Sequence, residues 1–137
     1  MKLDPSAFLA DPELIQALEK RSTSISCAED RVLFRQGDAP AGLYILDEGE
    51  ATLTMNSAAG EPVISIQTAP GSLLGLPGLI SNEPYTLTAL ARSGAQFSFV
   101  TRGDFTALME TDPLISLKVL QVLAAEVRSA RKAIFQR

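Results

Sequence analysis

From Thr23 to Val100 the chain is cut into short apolar or alternating runs, and the cuts fall on turn-forming residues. The predicted strands are Ser24–Cys27, Val32–Arg35, Gly42–Asp47, Ala51–Asn56, Pro62–Gln67, Thr86–Arg92 and Ala95–Val100. Between them lie Gln36-Gly37-Asp38, Asp47-Glu48-Gly49, Ala59-Gly60-Glu61, Ala69-Pro70-Gly71 and Ser93-Gly94. Closely spaced short strands of this kind predict an antiparallel sandwich or roll. The stretch Leu76–Ser81 lacks strand alternation and reads as a short helical turn. Hydrophobic residues make up 46% of the 137, enough to build a packed core.

Helices flank this region. Asp11 can cap, Pro12 suits a first helical position, and Leu14, Ile15 and Leu18 follow at helical spacing. That helix ends near Lys20 and Arg21. After Val100, Thr101-Arg102-Gly103-Asp104 matches a capping box opening a short helix from Phe105 to Glu110. Asp112-Pro113 then starts a longer helix reaching toward Phe135. Its apolar residues cover nearly the whole circumference, so it must be buried on more than one side. One face can pack on the roll. The other needs a partner, and a second copy of the same helix meets that need. Leu117, Leu120, Ala124, Val127 and Ile134 form the expected seam, interrupted by Arg131. The whole, residues 1–137, reads as one domain: a helical segment over 1–22, strands over 23–100 and helices over 101–137.

Composition removes several function classes. There is no histidine, so neither a His-based catalytic triad nor a His-ligated metal is available. The carboxylates show no calcium-loop spacing. No metal, cofactor or enzymatic chemistry is expected. The single cysteine, Cys27, cannot form an intrachain disulfide; it is expected to be buried and inert in a reduced, cytoplasmic setting. Formal net charge is −4, which disfavours direct nucleic-acid binding. Met1–Ala10 carries no signal-peptide pattern, and no run approaches the length of a membrane span. The basic tail Arg128, Arg131, Lys132 and Arg137 reads as a solvated helix end, and Asp47, Glu48 and Glu50 as an exposed hairpin.

Two blocks carry a family resemblance. Leu33-Phe34-Arg35-Gln36-Gly37-Asp38, followed by Gly42-Leu43-Tyr44-Ile45-Leu46-Asp47-Glu48-Gly49-Glu50-Ala51, resembles the first signature of cyclic-nucleotide-binding domains of Crp/Fnr type. The second block runs from Pro70 to Ala89 and resembles that family's phosphate-binding cassette, with Gly75, Gly78, Leu79 and Pro84 in place. The resemblance extends through both C-terminal helices. It implies a mainly β fold, a double-stranded β-helix or jelly-roll-like β-roll, with a short N-terminal helix and a long C-terminal dimerisation helix. It also implies a regulatory domain that senses a small ligand and relays the signal through a homodimer. In such relatives a DNA-binding module follows that helix. Here the chain ends at Arg137, so the expectation is a single-domain relative or a sensor fragment.

Two departures shape the functional reading. The family's cassette Glu, which accepts from the ribose, falls on Leu76; its Arg, which pairs with the cyclic phosphate, falls on Tyr85. Moreover, no Lys or Arg lies between Arg35 and Arg92. Desolvating a cyclic phosphate without a paired charge costs several kcal/mol. Helix-start N–H groups would return roughly 1–2 kcal/mol of that, and a Tyr85 hydroxyl could donate one neutral hydrogen bond. Usual binding of cyclic AMP or GMP is therefore not expected. Leu74, Gly75, Leu76, Pro77, Gly78, Tyr85 and Thr86 are the candidate pocket. They either line a remodelled site for an uncharged or aromatic ligand, or close an unused one and complete the core. The functional alternatives are a usual cyclic-nucleotide sensor, a ligand-free interaction dimer with an unknown protein partner, and a cupin-like enzyme, the last opposed by the missing histidines.

Overall fold

A computed structural model describes residues 3–135, with side chains described over 3–133. Eight strands form two four-stranded antiparallel sheets. One holds β1 (Thr23–Ser26), β8 (Gln96–Thr101), β3 (Gly42–Glu48) and β6 (Leu73–Leu74) in that order. The other holds β2 (Arg31–Phe34), β7 (Thr88–Ala91), β4 (Ala51–Asn56) and β5 (Pro62–Thr68). A 3-10 turn (Pro5–Phe8) and α1 (Pro12–Glu19) precede the strands; α2 (Leu76–Ser81) interrupts them; α3 (Arg102–Thr111) and α4 (Pro113–Phe135) follow. The roll with flanking helices and a long C-terminal helix agrees with the sequence reading.

Period-two alternation in β3 builds two cores at once. Tyr44 and Leu46 face a core between the sheets, with Phe34, Leu53, Ile64 and Phe97. Leu43 and Ile45 face a second core under the helices, with Leu14, Leu18, Val100, Phe105 and Val119. The turn after β3 depends on Gly49, whose φ of +85° is left-handed. A Cβ there would also stand 2.9 Å from the Cα of Ala95.

The caps read from sequence are present. Asp11 accepts from the Leu14 N–H at 2.8 Å, and Thr101 Oγ1 accepts from the Asp104 N–H at 3.2 Å. Three details differ from expectation. The strand predicted over Thr86–Arg92 shortens to β7, because Tyr85 is tied to the Gly37 turn instead of a ladder. Its N–H donates to Asp38 O at 2.9 Å, and its carbonyl accepts from Gly37 N–H at 2.8 Å. Thr86 therefore lies in a bend, not on a strand. Strand β6 was not predicted; two residues are too few to show alternation. Nor was the 3-10 turn, which the Asp4 carboxylate caps by accepting from Ser6 N–H at 3.0 Å.

Helix α4 has two unlike faces. Ile115, Val119, Val122, Ser129 and Ala133 are buried. Leu117, Leu120, Ala124 and Val127 of the predicted seam are exposed, the first two and Val127 by about half (53%, 52% and 52%). Leu114 is exposed beside them. The side chain of Ile134, and all of Arg137, lie outside the described residues.

Candidate ligand pocket

Tyr85 is the centre of the cassette. Its ring stacks on Phe34 with centroids 4.0 Å apart and 22° between planes. Its hydroxyl donates to Gly42 O at 2.8 Å and accepts from the N–H groups of Ala41 and Gly42 at 3.0 and 3.2 Å. Neighbouring backbone is fitted to the ring: a Cβ on Gly75 would stand 2.9 Å from Tyr85 Cε1. The hydroxyl hydrogen is thus committed, and the single donor that the sequence offered to an anion is spent on Gly42. Hydrogen bonds with three partners, made by a group that is almost fully buried, describe a completed structural element.

What remains of the cassette is a cavity of about 20 Å³. That is room for roughly one water molecule. Gly75, Pro77, Gly78, Tyr85 and Thr86 of the candidate set line it, together with Phe34 and Leu87. Leu74 and Leu76 do not. Leu74 is sealed in the core between the sheets and Leu76 in the core under the helices. The reason is the left-handed Gly75 (φ +96°), which turns the chain from β6 into α2 and swings Leu76 inward beneath the helices. Pro77, near the start of α2, withholds one N–H that an anion would need.

A larger recess opens beside this cavity and shares Phe8, Pro77, Thr86, Leu87 and Glu126 with it. It measures about 390 Å³, and its remaining walls include Met55, Ile64 and Leu123. No Lys or Arg lines either space among the described residues. The one charged side-chain type is Glu126, reaching in from α4. Its Oε2 is shut off from solvent and has no hydrogen-bond partner among the described residues. Burial pushes this carboxyl from the ordinary 4.5 up to about 8.

Comparison with known proteins places this geometry. The family model for the cyclic nucleotide-binding domain matches residues 24–112, well over half of the chain. The chain belongs to the cyclic nucleotide-binding domain family. It is similar to the cyclic AMP receptor protein of Thermus thermophilus, with 26% identity over 102 residues, covering 74% of this chain and 47% of that protein. It therefore spans about half the length of that relative. Among solved structures, the Thermus thermophilus catabolite activator protein superposes with a TM-score of 0.80 at 22% identity, over 97% of this chain and 62% of the other. The sensor domain of the transcriptional regulator DNR from Pseudomonas aeruginosa superposes at 0.68 and 19% identity, over 89% and 82%. These likenesses establish the fold as the Crp-type β-roll.

Against that family's pattern, the structure gives Leu76 and Tyr85 definite positions. The resemblance implies charged groups at both places; here Leu76 is inside a core, and the Tyr85 hydroxyl has one acceptor and two donors. Reading the sequence did not single out Glu126. The signal was present: Ile115, Val119, Val122, Glu126, Ser129 and Ala133 recur at three- and four-residue spacing on one helix face. Five of the six are buried, and the sixth is the lone acid of that stripe.

Proposed function

We propose that this cyclic nucleotide-binding domain is a non-enzymatic regulatory module that does not hold a cyclic nucleotide in the usual way and senses a different small ligand. The observation that carries the reading is the Tyr85 ring, seated on Phe34 with its hydroxyl satisfied, which leaves about 20 Å³ in the cassette. A cyclic phosphate would need that space and a positive charge, and among the described residues the lining supplies none. Titration with cyclic AMP, cyclic GMP and cyclic dinucleotides is expected to give no thermal shift at micromolar nucleotide. Saturable binding at micromolar concentration or below would overturn the reading.

We also propose that the module acts as a homodimer through α4. In support, Leu114, Leu117, Leu120 and Val127 leave an exposed apolar stripe opposite the buried face. Sedimentation should give a dimer at micromolar concentration, and Leu117→Glu with Leu120→Glu should give a folded monomer. A wild-type monomer under those conditions would remove the proposal. The same stripe favours a second reading, an interaction dimer that needs no ligand; failure to find any ligand for the larger recess, with the dimer intact, would support it.

A further inference from the structure

Glu126 poses a physical problem that no other described residue solves. A carboxyl oxygen shut from water, as Glu126 Oε2 is, usually has a partner, because leaving it bare costs on the order of 1–3 kcal/mol. Every other polar side-chain atom buried among the described residues has one. The side chains that line the two spaces with Glu126 come from the 3-10 turn (Phe8), from β2 (Phe34), from β4 (Leu53, Met55), from β5 (Val63, Ile64) and from the cassette (Pro77, Tyr85, Thr86, Leu87). The only titratable group among them is Tyr85, and its hydroxyl is bound to Gly42 and Ala41. Two open facts therefore coincide: an apolar recess of about 390 Å³ and an unpartnered acid in its wall. That volume lies within the ordinary range for small-molecule sites.

We propose that this recess binds a small apolar amine, its hydrocarbon body lying on Phe8, Met55, Ile64 and Leu87 and its ammonium group pairing with the Glu126 carboxylate. The inference deepens the ligand-sensor reading and rests on it. The choice of class follows from charge. An anion would meet an acid and, among the described residues, no cation. A wholly apolar molecule would bury Glu126 further and leave it as unpaired as before. A cation with a hydrocarbon body supplies both missing interactions, and a charge-assisted hydrogen bond is about twice as strong as a neutral one. Since Glu126 holds its proton near neutral pH, binding an ammonium ion expels that proton to solvent. If the free amine binds, it takes the Glu126 proton instead. Either route ends in the same neutral ion pair.

The test uses three probes with one hydrocarbon body: octylamine, n-octanol and octanoate, titrated calorimetrically into the full chain near pH 7. Octylamine should bind about tenfold or more tightly than octanol, and octanoate should not bind. The octylamine enthalpy should vary with the ionisation enthalpy of the buffer, reporting release of close to one proton. Glu126→Gln should reduce octylamine to the affinity of octanol and abolish the buffer dependence, while octanol stays within about twofold. Octanoate binding as well as octylamine, or an amine preference that survives Glu126→Gln, would overturn the proposal. So would the absence of octylamine binding to a wild-type chain whose urea unfolding shows it to be intact. A parallel cyclic AMP titration separates the two levels. Micromolar nucleotide binding defeats the sensor reading itself, whereas silence to both cyclic AMP and octylamine defeats only the amine.

Discussion

The cassette cavity and the recess beside it share walls but differ in what has become of their polar group. In the cassette, the Tyr85 hydroxyl has one acceptor and two donors within 3.2 Å, and the ring leaves about 20 Å³. In the recess, Glu126 Oε2 has no partner among the described residues and about 390 Å³ stands open. Apolar lining therefore does not tell a binding site from a plug. The state of the polar groups does: a satisfied group holds structure together, and an unsatisfied one is stable only at a cost that some later contact can relieve. In this chain the cavity around Tyr85 is nearly filled, and the recess beside it is open.

The largest effect should come from attacking the plug. Tyr85→Ala removes a buried ring and all three hydrogen bonds and should destabilise the protein by about 3–5 kcal/mol. Its Tm should fall by roughly 10–20 °C. Tyr85→Phe keeps the stacking on Phe34 but strands the N–H groups of Ala41 and Gly42 and the carbonyl of Gly42. It should cost about 1–3 kcal/mol. Urea unfolding of both variants separates the packing from the hydrogen bonds. If Tyr85→Ala were nearly neutral, Tyr85 would be a movable lid and the contrast between the two recesses would break.

A pH-dependent effect, of opposite sense to most carboxylates, should mark Glu126. Its folded pKa, about 8, lies above the ordinary 4.5, so the folded state holds the proton more tightly than the unfolded chain does. The resulting stability is complete below pH 4.5 and is lost as pH rises through about 8. The slope in that window is at most about 1.4 kcal/mol per pH unit. Glu126→Gln should flatten it, so that the variant gains on wild type between pH 5.5 and 8.5 in chemical denaturation. Glu19 leans the same way, raised by its own burial and by Asp47. It is present in both proteins, and the difference between them isolates Glu126. Parallel curves for the two proteins would mean that the acid already has a partner in solution.

How much of this could be read from residues alone depends on the range of the interaction. Caps at Asp11 and Thr101 are local and were legible from a few neighbouring letters. The β-roll was legible because glycine-marked corners and alternating runs repeat along the chain. The absence of charge at Leu76 and Tyr85 was legible from the residues themselves. Their fates were not, since the left-handed Gly75 decides that Leu76 turns away from the pocket, and the partners of Tyr85 sit more than 40 residues away. The apolar stripe through Leu117, Leu120, Ala124 and Val127 was legible because its spacing is regular, and the structure leaves these side chains exposed. The opposite stripe was overlooked because Glu126 and Ser129 interrupt it with polar atoms, although that stripe is the one the roll buries.

The smallest effect concerns how the open recess keeps its shape. Ser129 lies one turn beyond Glu126 on the buried face of α4, and its Oγ accepts from the Asp4 N–H at 2.7 Å. This bond ties α4 to the 3-10 turn that carries Phe8, a wall of both spaces. Ser129→Ala should lower the Tm by only roughly 2–5 °C, because one partly exposed hydrogen bond is lost and the helix gains a better former. Amide exchange should nevertheless quicken over Asp4–Leu9 and stay unchanged at Ala41 and Gly42, whose N–H groups are held by Tyr85. Such a split would show that the open recess is tethered separately from the closed cassette. Equal quickening at both places would mean that the two spaces open together, and that the difference between them is one of occupancy and not of construction.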